Sequence, residues 1–122
     1  MRLSTVTVLG TEYSACFSLR ASMHTAERYG SLKAVFDETR EAKSLEMKVW
    51  LLAEMLKAGY TAAKAEGATA EAPPTFDELL DKLDGFAVSE ITGMILQVLA
   101  ESQKTTVQIE EDEKNAVATT GP

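Results

Sequence analysis

Ser44-Leu45-Glu46-Met47-Lys48-Val49-Trp50-Leu51-Leu52-Ala53-Glu54-Met55-Leu56-Lys57-Ala58-Gly59 is the stretch that decides the fold. Leu45, Val49, Leu52, Ala53 and Leu56 recur at the three-four spacing of an amphipathic helix. Met47, Trp50, Leu51 and Met55 form a second set that widens the apolar surface well beyond one stripe. Such a helix is either buried on more than one side or presents part of its surface to a partner. It reads as the central helix, over about 45–65, with Ser44 as its cap and Gly59 as an interruption or an end.

Upstream, Thr5-Val6-Thr7-Val8 alternates polar and apolar residues as a half-buried strand does. Gly10-Thr11 offers a turn, because glycine accepts positive φ at little steric cost. On a second strand, Tyr13, Ala15, Phe17 and Leu19 would share one face, and Ser14, Cys16, Ser18 and Arg20 the other. A two-stranded hairpin is marginal alone in water, so its apolar face must pack on the helices that follow. Ser22 is a candidate cap for a short helix over 23–29 closed by Gly30, and Ser31 for another carrying Leu32, Val35 and Phe36. The polar run 37–43 reads as an exposed helix end and a turn.

Downstream, residues 67–74 end on Pro73-Pro74 and read as a linker. Thr75-Phe76-Asp77-Glu78 matches a capping box. It opens a short helix with Phe76, Leu79, Leu80 and Leu83 inward and Gly85 as the stop. A last helix over 88–102 places Val88, Ile91, Ile95, Val98 and Leu99 on one face. From there apolar residues thin out and Glu110-Glu111-Asp112-Glu113-Lys114 forms a charge run, so 104–122 reads as a flexible tail. The expected architecture is mainly α, of the α+β class. An N-terminal β-hairpin, about 3–20, packs on a small bundle of about five helices over 22–102, the whole forming one globular domain, 1–103.

The 122 residues fit one domain, and 45% hydrophobic with 25% charged content is ordinary for a globular protein. A net charge of −7, with the 12 basic residues scattered among acids, argues against nucleic acid and anionic membrane as partners. It also favours solubility. Cys16, the single cysteine, has no internal disulfide partner, which fits a reducing compartment. The first residues lack the apolar run of a signal peptide, and the most apolar stretch, 49–53, is far too short to span a bilayer. The expected location is the cytoplasm.

Candidate chemistry is sparse. His24 is the only histidine, which excludes a metal site built from several. A nucleophilic pair of Cys16 with His24 would need a thiolate, a cleft and a third orienting group, and the spacing points to none of them. The glycines stand singly at turns and helix ends, with no phosphate-binding loop. Asp77, Glu78, Asp81 and Asp84 crowd one short helix, where acids near the N-terminus and a solvated face account for them better than a cation does. No catalytic residue, metal or cofactor is expected. Met47, Trp50, Leu51 and Met55 are the candidate protein-binding surface. Methionine and tryptophan suit adaptable interfaces, and they suit cores still more often. In so small a domain this much apolar surface leaves a surplus, which favours self-association or a protein client.

The order of elements resembles the small tail assembly chaperones of long-tailed bacteriophages and prophages. The resemblance rests on the aromatic-containing second strand Glu12-Tyr13-Ser14-Ala15-Cys16-Phe17-Ser18-Leu19-Arg20 and on Ala26-Glu27-Arg28-Tyr29-Gly30-Ser31-Leu32, a short helix ending in an aromatic and glycine. The apolar helix closing on Gly59, the capped helix from Thr75 and the final amphipathic helix complete it, over about 1–103. It implies a chaperone that binds the tape measure protein, keeps that long helical chain soluble in the host cytoplasm and helps recruit tail tube subunits. It also implies an acidic C-terminal end of the kind a ribosomal frameshift extends. Two other classes stay open: a small acidic adaptor or antitoxin-like regulator using the acidic helix 76–84 against a basic protein, and a small enzyme using Cys16 and His24.

Overall fold

A computed structural model describes residues 2–104 in full and the backbone alone of 105–120. The flexible tail expected over 104–122 therefore lies, from residue 105 on, outside the fully described residues.

β1 (Ser4–Val8) pairs antiparallel with β2 (Thr11–Ala15), Val6 opposite Tyr13 and Val8 opposite Thr11. Ser4, Val6 and Val8 are buried while Thr5 and Thr7 are exposed, as the two-residue period of a strand requires. The turn is Leu9-Gly10, one residue earlier than expected, with φ of 52° and 81°. A type I′ loop, one of the two-residue loops that match the twist of their strands, takes positive φ at both positions. Glycine adopts this freely, but leucine is strained there by about 1–2 kcal/mol. Leu9 is also half exposed and so contributes little packing. Leu9→Asn is expected to raise the thermal unfolding midpoint by about 2–5 °C; a fall on calorimetry would show that the leucine side chain outweighs its backbone strain.

β2 ends at Ala15, not at Arg20. Ser18 is the reason. Its backbone is extended and its hydroxyl accepts the Ala21 N–H at 3.1 Å, which starts α1 (Leu19–Tyr29) four residues before the expected point. Leu19 and Arg20 are thereby helical, and Leu19 faces solvent instead of the core. Gly30 closes α1 at φ 89°, with its N–H on the Ala26 carbonyl at 2.8 Å. Ser31 caps α2 (Leu32–Asp37) as expected, accepting the Ala34 N–H at 3.1 Å.

α3 (Glu41–Ala65) begins ahead of Ser44, which sits inside the helix with its N–H on the Arg40 carbonyl at 2.8 Å. Glu41 in the first turn favours that start by meeting the positive end of the helix dipole. Gly59 neither ends nor interrupts α3. It is buried against β2, and a Cβ there would lie 2.2 Å from the Ser14 carbonyl oxygen and 2.4 Å from the Ala15 nitrogen. The missing side chain lets helix and strand backbones touch. One turn earlier the Met55 carbonyl accepts the Cys16 N–H at 3.2 Å. The hairpin is thus held to α3 through backbone as well as side chains.

α4 (Phe76–Lys82) carries the expected capping box: the Thr75 hydroxyl accepts the Glu78 N–H and the Glu78 carboxylate accepts the Thr75 N–H, both at 3.2 Å. Thr75's backbone N–H and hydroxyl hold the Glu78 carboxyl below the usual carboxylate range. The stabilisation is therefore present at neutral pH and lost as pH falls through that lowered value. Only Leu79 of this helix is fully buried; Leu80, expected inward, is exposed. α5 spans Val88–Thr120, with Ile91, Ile95 and Val98 buried and Leu99 partly so. The Phe17 N–H donates to Ser102 Oγ at 2.8 Å, tying the β2–α1 connection to α5.

The core gathers Val6, Val8 and Ala15 of the hairpin, Val35 of α2, Leu79 of α4 and Ile91, Ile95 and Val98 of α5 around α3. The fold is mainly α with an N-terminal hairpin, as expected. Among the described residues no helix is long and apolar enough to cross a membrane.

Candidate docking surface

The structure places Met47, Trp50, Leu51 and Met55 in the core cluster, Leu51 and Met55 fully buried and Trp50 only 8% exposed. The reading of these four as a protein-binding surface is corrected. Hairpin, α4 and α5 all converge on α3 and take up the apolar surplus that the sequence left over. A partner would reach Met47, Leu51 and Met55 only by displacing an element of the fold, while Trp50 keeps a small exposed edge.

Trp50 also anchors a staple at the edge of that core. Its ring meets Tyr29 edge-on at 5.3 Å, and the Arg28 guanidinium lies 5.3 Å from Trp50, 5.4 Å from Tyr29 and 5.7 Å from Phe76. Glu46 completes the group, 3.5 Å from Arg28 Nη2 and accepting from the Tyr29 hydroxyl at 3.4 Å. Cation–π contacts of this kind pin the end of α1 to α3 and to the start of α4. The residues satisfy one another, so the group serves the fold.

The accessible apolar side chains are elsewhere. Leu19 is 79% exposed and Met23 56%, and they stand one helical turn apart on α1. Beside them, between α1 and α3, runs a groove of about 420 Å³. It is lined by four small residues, Ala21 of α1 and Ala58, Ala62 and Ala65 of α3. Its polar lining is Arg20 and His24 from α1, and Glu54, Lys57 and Thr61 from α3. His24 Nδ1 lies 2.9 Å from Glu54 Oε2. An ionised carboxylate only accepts, so this contact needs the proton on Nδ1. A second groove, about 560 Å³, lies between α3 and the 73–76 segment and is lined by Trp50, Tyr60, Pro73, Pro74 and Phe76. On the turn before α5, Asp84 Oδ1 accepts the Phe86 N–H at 2.6 Å and the phenyl ring is 93% exposed.

No family model, curated protein or solved structure matches this chain.

The geometry gives the Cys16–His24 pair no support. Cys16 is fully buried, and burial pushes its thiol pKa up, so the sulfur is a protonated thiol at neutral pH. The hydrogen-bond partner of His24 is Glu54. Ellman's reagent is expected to find almost no native thiol within minutes and one equivalent after denaturation. Rapid reaction of the folded protein would show that the strand end opens and the thiol ionises. Of the acids on and after α4, Glu78 is engaged by Thr75, and Asp84 by the Phe86 N–H. Among the described residues, no three His, Cys, Asp or Glu side chains gather where they could hold a metal ion.

The exposed pair Leu19 and Met23 is hidden in the sequence as long as strand alternation is continued through Arg20. The available signal was Ser18, a good cap followed by a run without glycine or proline up to Gly30.

Proposed function

We propose that this chain is a non-enzymatic tail assembly chaperone, which binds a phage tape measure protein in the host cytoplasm and helps recruit tail tube subunits. The observation that carries the protein-binding part is the placement of Leu19 and Met23, exposed beside the groove between α1 and α3 while the large apolar residues of α3 are buried. Adjacent exposed apolar side chains on a small acidic protein suit a reversible protein contact. Methionine adapts to differently shaped clients. The net charge of −7 keeps such a complex in solution. The phage assignment rests on the resemblance in element order over 1–103. Exposed Phe86 and Leu96 leave further apolar surface through which copies of the chain could associate.

A second reading has one observation in its favour. Leu80 is exposed on α4 between Asp77 and Asp81, a pattern that suits an adaptor facing a basic protein. The two readings part in one experiment. The tagged chain is expressed in cells producing the tail proteins of its phage or prophage, and its captured partners are identified by mass spectrometry. Recovery of a very long helical tail protein or the tube subunit is expected. The Leu19→Lys/Met23→Lys variant is expected to keep its helical circular dichroism and to bind at least about tenfold more weakly, a loss of about 1.4 kcal/mol. Recovery of a single basic cellular protein, abolished by Asp77→Lys/Asp81→Lys instead, would replace the chaperone with the adaptor.

A further inference from the structure

We infer that two copies of this chain pair edge to edge through β1, antiparallel about a twofold axis at Val6, into one four-stranded sheet of order β2-β1-β1-β2. Such pairing goes beyond client binding and needs neither Leu19 nor Met23.

The hairpin itself decides which backbone groups point outward. Val8 and Thr11 flank the two-residue loop and so exchange hydrogen bonds, as do the alternate pairs Val6–Tyr13 and Ser4–Ala15. Thr5 and Thr7 fall on the intervening pairs, opposite Ser14 and Glu12, so their N–H and C=O groups point away from β2. No other backbone group of the described residues hydrogen-bonds to them. On β2 the same parity turns the Ser14 carbonyl toward Gly59 of α3, and the Cys16 N–H beyond it bonds the Met55 carbonyl at 3.2 Å. One edge of the two-stranded sheet is thus covered by α3, and the other is β1.

That edge carries none of the usual protection. From Leu3 to Thr11 there is no charged residue and no proline, in a chain with 25% charged residues. Natural edge strands are blunted by such residues or covered. Thr5 and Thr7 themselves are exposed.

A second copy fits this edge by symmetry. Thr5-Val6-Thr7 reads the same in both directions. With the axis at Val6, each Thr5 lies opposite the other copy's Thr7, and every outward N–H and C=O of these threonines is paired. Cross-strand threonine pairs are favourable, and no like charges are opposed. The outer strands of the joined sheet are then both β2, each covered by its own α3, so no edge stays open. An extended segment of an unrelated protein would add a new open edge instead. Because the axis stands perpendicular to the sheet, both helical layers remain on one side, and the α5 helices, which pack on β1, come nearest each other beneath the seam.

A seam of one short strand buries little surface, so pairing is expected at about 100 μM and not at nanomolar concentration. The full-length chain is followed by sedimentation from about 10 μM to about 1 mM. Twice the monomer mass is expected at the upper end. Amide exchange at Thr5 and Thr7 should slow at least about tenfold over the same range, while Val6 and Val8 stay protected throughout. Thr7→Pro removes only an outward N–H, which an edge strand tolerates; it should keep its circular dichroism and remain a monomer. Thr5→Lys/Thr7→Lys, two exposed substitutions that oppose lysines across the seam, should weaken pairing at least about tenfold. A wild-type chain that stays monomeric to the upper concentration would overturn the inference, as would exchange at Thr5 and Thr7 that ignores concentration. A dimer that survives both variants would also overturn it and move self-association to another surface, such as Phe86 or Leu96.

Discussion

Gly59→Ala is expected to destabilise the protein by about 3 kcal/mol or more, although alanine is the better helix former by about 1 kcal/mol. The added methyl would sit 2.2 Å from the Ser14 carbonyl oxygen and 2.3 Å from its carbon. Neither is the free end of a flexible side chain, so relief requires the hairpin to move away from α3. That movement would strain the Cys16 N–H bond to the Met55 carbonyl and open the packing of Ala15. Gly93→Ala supplies the contrast. Gly93 also lies in a helix, but nothing stands within 4 Å of the position its Cβ would take. There the same substitution should stabilise by up to about 1 kcal/mol. Urea unfolding of both variants decides the matter: opposite signs are expected, and two small changes of the same sign would mean that α3 and β2 are not in close contact.

Met55→Asp is expected to abolish the folded state. Met55 is fully buried in the core cluster. An unpaired carboxylate there costs several kcal/mol, on top of the packing lost with the methionine, against a total stability of about 5–15 kcal/mol for a domain of this kind. Met55→Leu, close in volume, should cost less than about 1.5 kcal/mol. Circular dichroism with a thermal ramp is the readout. A Met55→Asp protein that unfolds cooperatively near the wild-type midpoint would show that this face of α3 is open to solvent, which would restore Met47, Trp50, Leu51 and Met55 as the docking surface.

The parts of the fold that periodicity governs were legible from the sequence. The alternation of Val6 and Val8, the apolar richness of 45–56 and the spacing of Ile91, Ile95 and Val98 each identify an element and its buried face. Cap chemistry was legible at Ser31 and Thr75 and misread at Ser18, because Phe17 and Leu19 continued a plausible strand alternation past the true start of α1. Gly59 was misread for a different reason. Glycine in a helical pattern signals either an end or a close approach, and the Ser14 backbone that distinguishes the two is distant in sequence.

The docking surface was legible only in part. A helix apolar on several sides carries no label telling whether another helix of the same chain or a partner covers each side. For Met47, Trp50, Leu51 and Met55 the chain itself does so. Leu19 and Met23 became visible as a surface only once Ser18 had turned the backbone into a helix. The groove needs the pairing of α1 with α3, which no local pattern encodes.

Chaperone action is read from the soluble fraction of the tape measure protein of the same phage or prophage, co-expressed with and without this chain. The long helical protein is expected to stay in the supernatant with the wild-type chain, and to pellet both without it and with the Leu19→Lys/Met23→Lys variant. Equal partition in all three cases would contradict the chaperone reading.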